Sequence, residues 1–154
     1  MTLEFREVTE DNFDEFIALE VKLDQKDNFF FRSTKPNIMS LAQTYIFKGA
    51  RILALYAGDT MVGSMFYSRE DAVPSNFWLI RFMIDQRYQG KGYGRQAMLM
   101  LFDRVKSENG GAPAILGLCY EHYNKVGEHL YRSLGFEPTG ETMGGGQIVA
   151  RKRV

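Results

Sequence analysis

The sequence contains a single cysteine, Cys119, so one chain cannot form an internal disulfide bond. Its charges also cancel, because 19 lysines and arginines balance 19 aspartates and glutamates. A broad nucleic-acid-binding surface needs an excess of basic residues. No apolar run approaches the roughly 20 residues that span a bilayer. The first residues carry acids and lack the apolar centre of a signal peptide. These absences predict a cytoplasmic protein that binds neither nucleic acid nor a membrane.

Two common phosphate-binding motifs are missing as well. A dinucleotide fingerprint requires G-x-G-x-x-G, but Arg95 stands where the third glycine would follow Gly90 and Gly92. No segment has the G-x-x-x-x-G-K-[ST] spacing of a nucleoside-triphosphate P-loop. The chain is therefore not predicted to bind a dinucleotide or a nucleoside triphosphate in these ways, and we also expect no metal ion.

Size and composition favour one ordinary globular domain over residues 1–154, with 45% hydrophobic and 25% charged residues. Hydrophobic periodicity and turn residues then predict the order of the elements. The chain begins with a strand at 3–8, a helix capped by Thr9, and a helix that starts near Pro36 and ends just before Gly49. Strands at 51–56, 61–68 and 77–84 follow, then a helix that begins at Arg95 and ends near Asn109. The last elements are a strand at 114–119, a helix at 124–134, and strands at 136–141 and 148–153. This order predicts a mixed α/β sheet with helices on both faces.

The most informative feature is the passage from the strand at 77–84 into the helix that begins near Arg95. The connecting loop has glycines at 90, 92 and 94. A helix entered through such a loop presents backbone N–H groups without intrahelical partners, and its macrodipole favours an anion. The loop therefore predicts a phosphate-bearing ligand, although glycines can also serve only a tight turn.

Two motifs carry a family resemblance. Gln89-x-x-Gly92-x-Gly94 resembles the Q/R-x-x-G-x-G/A pyrophosphate loop of the GNAT superfamily of acetyl-CoA-dependent N-acetyltransferases, and the segment Asn124-x-x-Gly127-x-x-Leu130-Tyr131-x-x-x-Gly135-Phe136 resembles its N-x-x-A-x-x-L-Y-x-x-x-G-F motif. Residues 81–85 further resemble the bacterial spermidine/spermine acetyltransferase branch. The resemblance covers nearly the whole chain and implies the GNAT fold.

The resemblance implies that acetyl-CoA is the co-substrate and assigns residues to it. The backbone of the loop is expected to hold the pyrophosphate. The strand before the loop is expected to pair with the pantetheine arm and to supply an N–H group to the oxyanion. Asn124 is expected to bind the arm or, alternatively, only to cap its helix. The cofactor-binding residues implied are Phe82, Met83, Ile84, Gln89, Gly90, Lys91, Gly92, Tyr93, Gly94, Arg95 and Asn124.

Tyr131 is the implied general acid for the departing thiolate. A phenol is protonated at neutral pH and can donate a proton or a hydrogen bond. Asn124, Gly127 and Tyr131 fall on one helical face, where Gly127 would leave room for the arm. The alternative is that Tyr131 is a core aromatic residue.

Two residues are candidates for the general base. Glu121 is the best-placed carboxylate, although an exposed loop acid is the alternative explanation, and His122 is a second candidate. Cys119 could carry an acetyl group in a ping-pong route, but a buried strand cysteine more often packs as a small hydrophobic residue. Direct transfer in a ternary complex is therefore expected.

The expected acceptor is a primary amine of a small molecule, with a polyamine as one candidate. Arg32 and Ile80 stand where the polyamine branch tends to carry acids, which weakens that candidate, while Glu70, Asp71 and Glu141 remain as acids that could face an amine. The alternatives are a non-catalytic acyl-CoA-binding module and a protein or peptide N-acetyltransferase. The sequence leaves a homodimer open.

Overall fold

The computed structural model describes residues 2–26 and 36–154, and within these ranges the chain forms strands and helices in the predicted order. The strands are β1 (Leu3–Arg6), β2 (Ala50–Ala57), β3 (Thr60–Arg69), β4 (Asn76–Ile84), β5 (Ile115–Tyr120), β6 (Glu137–Met143) and β7 (Gln147–Arg153), and the helices are α1 (Phe13–Ile17), α2 (Pro36–Ile46), α3 (Tyr93–Glu108) and α4 (Lys125–Ser133). The predicted acceptor-side residue Arg32 lies outside the described residues. No helix in the described ranges has both the length and the apolar character needed to cross a bilayer.

All seven strands join one sheet in the order β1-β2-β3-β4-β5-β7-β6. Neighbouring strands are antiparallel except β4 and β5, which are parallel. Parallel neighbours require a crossover connection, and here α3 supplies it. The predicted mixed α/β sheet is confirmed.

The core lies on both faces of this sheet. On one face, α3 buries Ala97, Met98, Leu101 and Val105 against the strands, and α4 adds Leu130 and Tyr131 at its margin. On the other face, Phe16 of α1 is fully buried in a second cluster to which Leu41 of α2 contributes. Helices therefore cover both faces, as predicted from the sequence.

The N-terminal prediction was wrong in detail. The first strand ends at Arg6 rather than at residue 8, and α1 begins at Phe13 rather than directly after Thr9. The side chain of Asn12 explains the delay, because its Oδ1 accepts a hydrogen bond from the Thr9 N–H (2.8 Å) and its Nδ2 donates to the Glu7 carbonyl (3.0 Å). These bonds stabilise a turn before the helix, so Thr9 is not its cap.

The sheet opens where β4 and β5 separate. Their pairing is limited to residues 76–79 of β4 and 115–118 of β5. On its other side β4 stays paired with β3 as far as Ile84, with a register shift that leaves Ile80 as an extra residue. Within the described residues, the β5-facing edge of β4 therefore has no strand partner beyond Leu79. A ligand could use those backbone groups as a strand would.

Candidate active site

The loop between β4 and α3 has the backbone conformation of an anion-binding turn. Gly90 and Gly92 have φ values of +79° and +80°, which side-chain-bearing residues rarely adopt. Gly92 is the N-cap of α3, and no side chain caps the helix there. The Gln96 N–H bonds back to the Gly92 carbonyl at 3.2 Å, so the N–H groups of residues 93–95 precede the first helical hydrogen bond. These donors and the helix dipole favour a bound anion.

Two hydrogen-bonded contacts hold this loop in place. Asp85 is 1% exposed, and its carboxylate accepts from the Arg87 guanidinium (2.8 Å) and from the Glu20 N–H (3.0 Å). Burial alone would raise the pKa of Asp85, but these hydrogen bonds hold it below its ordinary value. The Gln89 and Gln25 amides exchange two hydrogen bonds of 2.8 and 3.2 Å. The loop is therefore anchored to the segment that follows α1.

A cavity of about 400 Å³ lies above this loop and the open edge of β4. This volume is within the range of small-molecule sites. Its lining includes most of the residues expected to bind the co-substrate, namely Phe82, Met83, Ile84, Gln89, Gly90, Gly92, Tyr93, Gly94 and Asn124, and it includes Tyr131. Val21, Lys22, Asp24 and Gln25 form a wall that the sequence did not indicate. The structure thus brings both sequence motifs to one cavity.

Lys91 and Arg95 are not among the residues that line the cavity. The Lys91 Nζ lies 5.3 Å from the centre of the Tyr88 ring, and the Arg95 Nη1 donates to the Ser133 hydroxyl at 3.2 Å. Lys91 therefore lies against a residue that lines the cavity, whereas the Arg95 side chain is bonded to α4. Lys91 and Arg95 remain candidates through their backbone N–H groups and their charge.

Tyr131 lies at the cavity wall on α4 and packs in an aromatic cluster. Its ring centre is 5.7 Å from that of Tyr120 and 6.0 Å from that of Phe136. Burial raises the pKa of the Tyr131 phenol above its ordinary value, and the neighbouring Cys119 and Glu121 groups act in the same direction. The phenol is therefore held in its protonated, hydrogen-bond-donating form.

Asn124 and Gly127 act together at the start of α4. Asn124 is the N-cap, and its Oδ1 accepts a hydrogen bond from the Gly127 N–H at 3.0 Å. A Cβ atom at residue 127 would come within 2.7 Å of the Asn124 amide nitrogen, so glycine leaves space for this cap. Asn124 also lines the cavity. The capping role expected as an alternative is confirmed, and it uses only the carbonyl end of the side chain.

Glu121 is 8% exposed, so the expectation of an exposed loop acid is wrong for this residue. Its carboxylate has a polar partner at the start of β7, where the Gln147 Nε2 donates to the Glu121 Oε1 at 3.2 Å. Glu121 is not among the residues that line the cavity, but its charge acts on Tyr131. The other base candidate, His122, is exposed and packs edge-on against Tyr123.

Cys119 lies beside these groups at the end of β5. Its thiol donates to the Gln147 Oε1 at a sulfur–oxygen distance of 3.6 Å. Burial and the nearby Glu121 charge raise the pKa of the Cys119 thiol to about 11. A nucleophilic cysteine reacts as the thiolate, so this environment does not favour covalent catalysis.

The remaining acids from the sequence lie elsewhere. Glu70, Asp71 and Glu141 are not among the residues lining the cavity, and Glu141 faces Arg151 at 3.8 Å. No group of three or more histidine, cysteine, aspartate or glutamate side chains in the described ranges could hold a metal ion. Gln25 and Gln147 could not be identified from the sequence, because their partners are distant in the chain.

Comparisons with known proteins bear on the family and the fold of the chain. Residues 9–136 match the sequence model of the acetyltransferase (GNAT) family. The chain is 29% identical to a spermine/spermidine N(1)-acetyltransferase of Bacillus subtilis (strain 168), with all of both chains covered. One similar crystal structure is the PaiA N-acetyltransferase of Thermoplasma acidophilum in complex with coenzyme A, with a TM-score of 0.71 and 17% identity over 100% of both chains. Another is the spermidine N-acetyltransferase of Vibrio cholerae in complex with CoA and spermine, with a TM-score of 0.75 and 16% identity over 99% of this chain and 95% of the other. At these identities the two structures support the fold alone.

Proposed function

The chain belongs to the acetyltransferase (GNAT) family, and from this premise we propose that it moves the acetyl group of acetyl-CoA directly to a primary amine of a small molecule, with a polyamine as the acceptor. The observation that carries the proposal is the meeting of three features at one cavity. These are the N–H groups at the start of α3, the unpaired edge of β4, and the Tyr131 phenol.

The residues present fit coenzyme A. Gly90 and Gly92 have the positive φ values that turn loop N–H groups outward, as a diphosphate requires. The edge of β4 at Phe82–Ile84 supplies backbone groups for an amide-containing arm, except for the Ile84 carbonyl, which accepts from the Gln89 Nε2 at 2.9 Å. Asn124 keeps its amide N–H₂ for the same arm. When bound, acetyl-CoA supplies the acetyl group as an activated thioester. The protein's own task is then to orient the two reactants and to manage charge and protons.

Tyr131 would stabilise the sulfur that leaves. A thiol has an ordinary pKa near 8.5, and the pKa of Tyr131 is raised above the ordinary tyrosine value near 10. Complete proton transfer from this phenol to a thiolate would therefore be uphill. Tyr131 is better suited to donate a hydrogen bond that strengthens as negative charge develops on sulfur, with the proton supplied finally by solvent.

The proposal of a polyamine acceptor is supported by the Bacillus subtilis relative, which is named for spermine and spermidine and aligns with this chain along its whole length. One acid among the residues that line the cavity, Asp24, could receive an ammonium group. Glu121 is buried and is not among the lining residues, so it is not counted as a partner for an ammonium group. The substitutions at Arg32 and Ile80 remove other acids, so we expect the amine to be held by fewer ion pairs than in relatives that retain them.

The test is release of free thiol from acetyl-CoA with a panel of amines. The panel contains spermidine, spermine, n-butylamine as a monoamine control, and a short peptide with a free N-terminus. We expect saturable release of thiol with at least one polyamine. The kcat/KM for butylamine should be at least about tenfold lower, because one ion pair of about 1.4 kcal/mol gives that ratio.

The panel also separates the competing functions. Activity on the peptide but not on spermidine would replace the polyamine by a protein acceptor. Binding of acetyl-CoA without thiol release for any amine would indicate a non-catalytic acyl-CoA-binding module and would contradict the proposal.

Direct transfer predicts a minor role for Cys119. Because its thiol is protonated at neutral pH, Cys119→Ala should retain activity to within about tenfold, the small loss coming from its hydrogen bond to Gln147. Mass spectrometry after incubation with acetyl-CoA and no amine should show no acetylated protein. An acetyl adduct on Cys119 that an amine then discharges would establish a ping-pong route instead.

A further inference from the structure

Gln147 occupies a position between two chemically important groups. It is 4% exposed and begins β7, opposite the residue that follows β5. Its carboxamide accepts from the Cys119 thiol (3.6 Å) and donates to the Glu121 carboxylate (3.2 Å). A thiol can donate whereas a carboxylate can only accept, so this pair fixes which end of the amide faces which partner.

The surrounding chain keeps this arrangement rigid. Cys119 and Glu121 contact the same carboxamide, so their side chains lie on one side of the chain where β5 ends. On the other side of the amide, a Cβ atom at Gly144 would lie 3.0 Å from the Gln147 Oε1, so the glycine turn between β6 and β7 fits closely over it. Burying a carboxylate is costly unless hydrogen bonds replace its water. Gln147 provides one of those hydrogen bonds.

We propose that Gln147 is a positioning residue for acetyl transfer, because it holds the Glu121 carboxylate in the orientation from which Glu121 accepts the proton that the acceptor amine releases. The inference rests on the proposed function and adds to it a residue that touches neither substrate. In the reaction one C–N bond forms and the thioester C–S bond breaks. The amine proton passes to Glu121 and then to solvent, while the departing sulfur takes its proton from solvent beside the Tyr131 hydrogen bond.

The titratable groups close to Glu121 limit what a pH profile can report. Within the part of the chain that the structure describes, Cys119 on β5 and Tyr131 on α4 interact with its charge, and both stay protonated at neutral pH. His122, the next residue, is exposed and contacts Tyr123. Because the acceptor amine must also lose a proton before it attacks, each variant is compared with the wild type on the same amine, and a difference between the two pH profiles then reports on the protein.

The first experiment compares Gln147→Leu and Gln147→Glu with the wild type, using the best amine from the panel between pH 6 and 9. Leucine keeps the volume and removes both hydrogen bonds. We expect it to lower kcat/KM for the amine about 10- to 100-fold, with the Kd for acetyl-CoA changed less than twofold. In Gln147→Glu two carboxylates share one site, so we expect the acid limb of the pH profile of kcat/KM to shift to higher pH by about one unit or more.

The second experiment repeats Gln147→Leu in a Glu121→Gln background, with circular dichroism and thermal melting on every variant. A positioning role predicts that Gln147→Leu lowers the kcat/KM of the Glu121→Gln protein by less than about twofold, because the carboxylate that Gln147 positions is already absent. A role of Gln147 that does not depend on Glu121 predicts that the two losses multiply.

Three results would overturn the inference. The first is a folded Gln147→Leu protein with wild-type kcat/KM, and the second is full multiplication of the two losses. The third is a wild type that transfers acetyl to no amine, which would remove the proposed function as well. The first two, found with an active wild type, leave the proposed function intact.

Discussion

Replacing Tyr131 by phenylalanine is expected to lower kcat about 100-fold while changing the Kd for acetyl-CoA less than threefold. A single well-placed hydrogen-bond or proton donor commonly contributes about 10²- to 10⁴-fold to turnover. We expect the lower end because the raised pKa makes this phenol a weak acid. Phenylalanine keeps the ring contacts to Tyr120 and Phe136, so the fold and the cavity wall should be preserved.

The pH dependence gives this prediction a sign. A raised pKa means that Tyr131 remains protonated at every pH below about 10, the ordinary value for tyrosine. The ratio of wild-type to Tyr131→Phe activity should therefore be constant from pH 7 to 9. Tyr123→Phe is a suitable control, since Tyr123 is exposed and does not line the cavity. A Tyr131→Phe protein with wild-type turnover would remove the donor role and leave Tyr131 as a packing residue.

A carboxylate at residue 94 is expected to weaken acetyl-CoA binding without lowering the thermal stability of the protein. Gly94 lies in the first turn of α3 and lines the cavity, and a Cβ atom there would meet only the ends of the Leu130 and Phe82 side chains, at 3.5 and 3.9 Å. Gly94→Glu should weaken acetyl-CoA binding at least about 100-fold. Like charges about 5 Å apart near a protein surface repel by about 3 kcal/mol, which is roughly two powers of ten in Kd.

The same substitution should not unfold the protein. A negative charge near a helix N-terminus stabilises the helix by about 0.3–1 kcal/mol, and replacing glycine in a helix adds up to about 1 kcal/mol. Thermal melting of ligand-free Gly94→Glu should therefore occur at or above the wild-type temperature. Gly94→Gln, which has the same bulk without the charge, should lose only about tenfold in affinity. Equal affinities for the two variants in calorimetry would argue against an anion at this helix end.

The sequence predicted what local geometry determines. The glycine loop could be predicted because its glycines favour positive φ values and leave the first N–H groups of the next helix without a side-chain cap. Asn124 could be predicted as an N-cap because asparagine is favoured there. The error at Thr9 was also local. Asn12, three residues on, competes for the same turn, and propensity alone does not decide between two capping residues.

What the sequence could not reveal depends on contacts between distant residues. Gln25 and Gln89 are 64 residues apart, and Glu121 and Gln147 are 26 apart, so neither pair leaves a periodic pattern. The burial of Glu121 follows from the pairing of β5 with β7, and the open edge of β4 follows from where that strand leaves β5. The directions of the Lys91 and Arg95 side chains are equally a result of tertiary packing.

The account depends most on backbone N–H groups of residues 89–95 binding the diphosphate of coenzyme A. A titration of ¹⁵N-labelled protein with coenzyme A, followed by amide NMR, tests this directly. The account predicts saturable one-to-one binding, with the largest amide shifts at residues 89–95 and 82–84. Absence of binding, or saturable binding with the largest shifts away from this loop and β4, would contradict it.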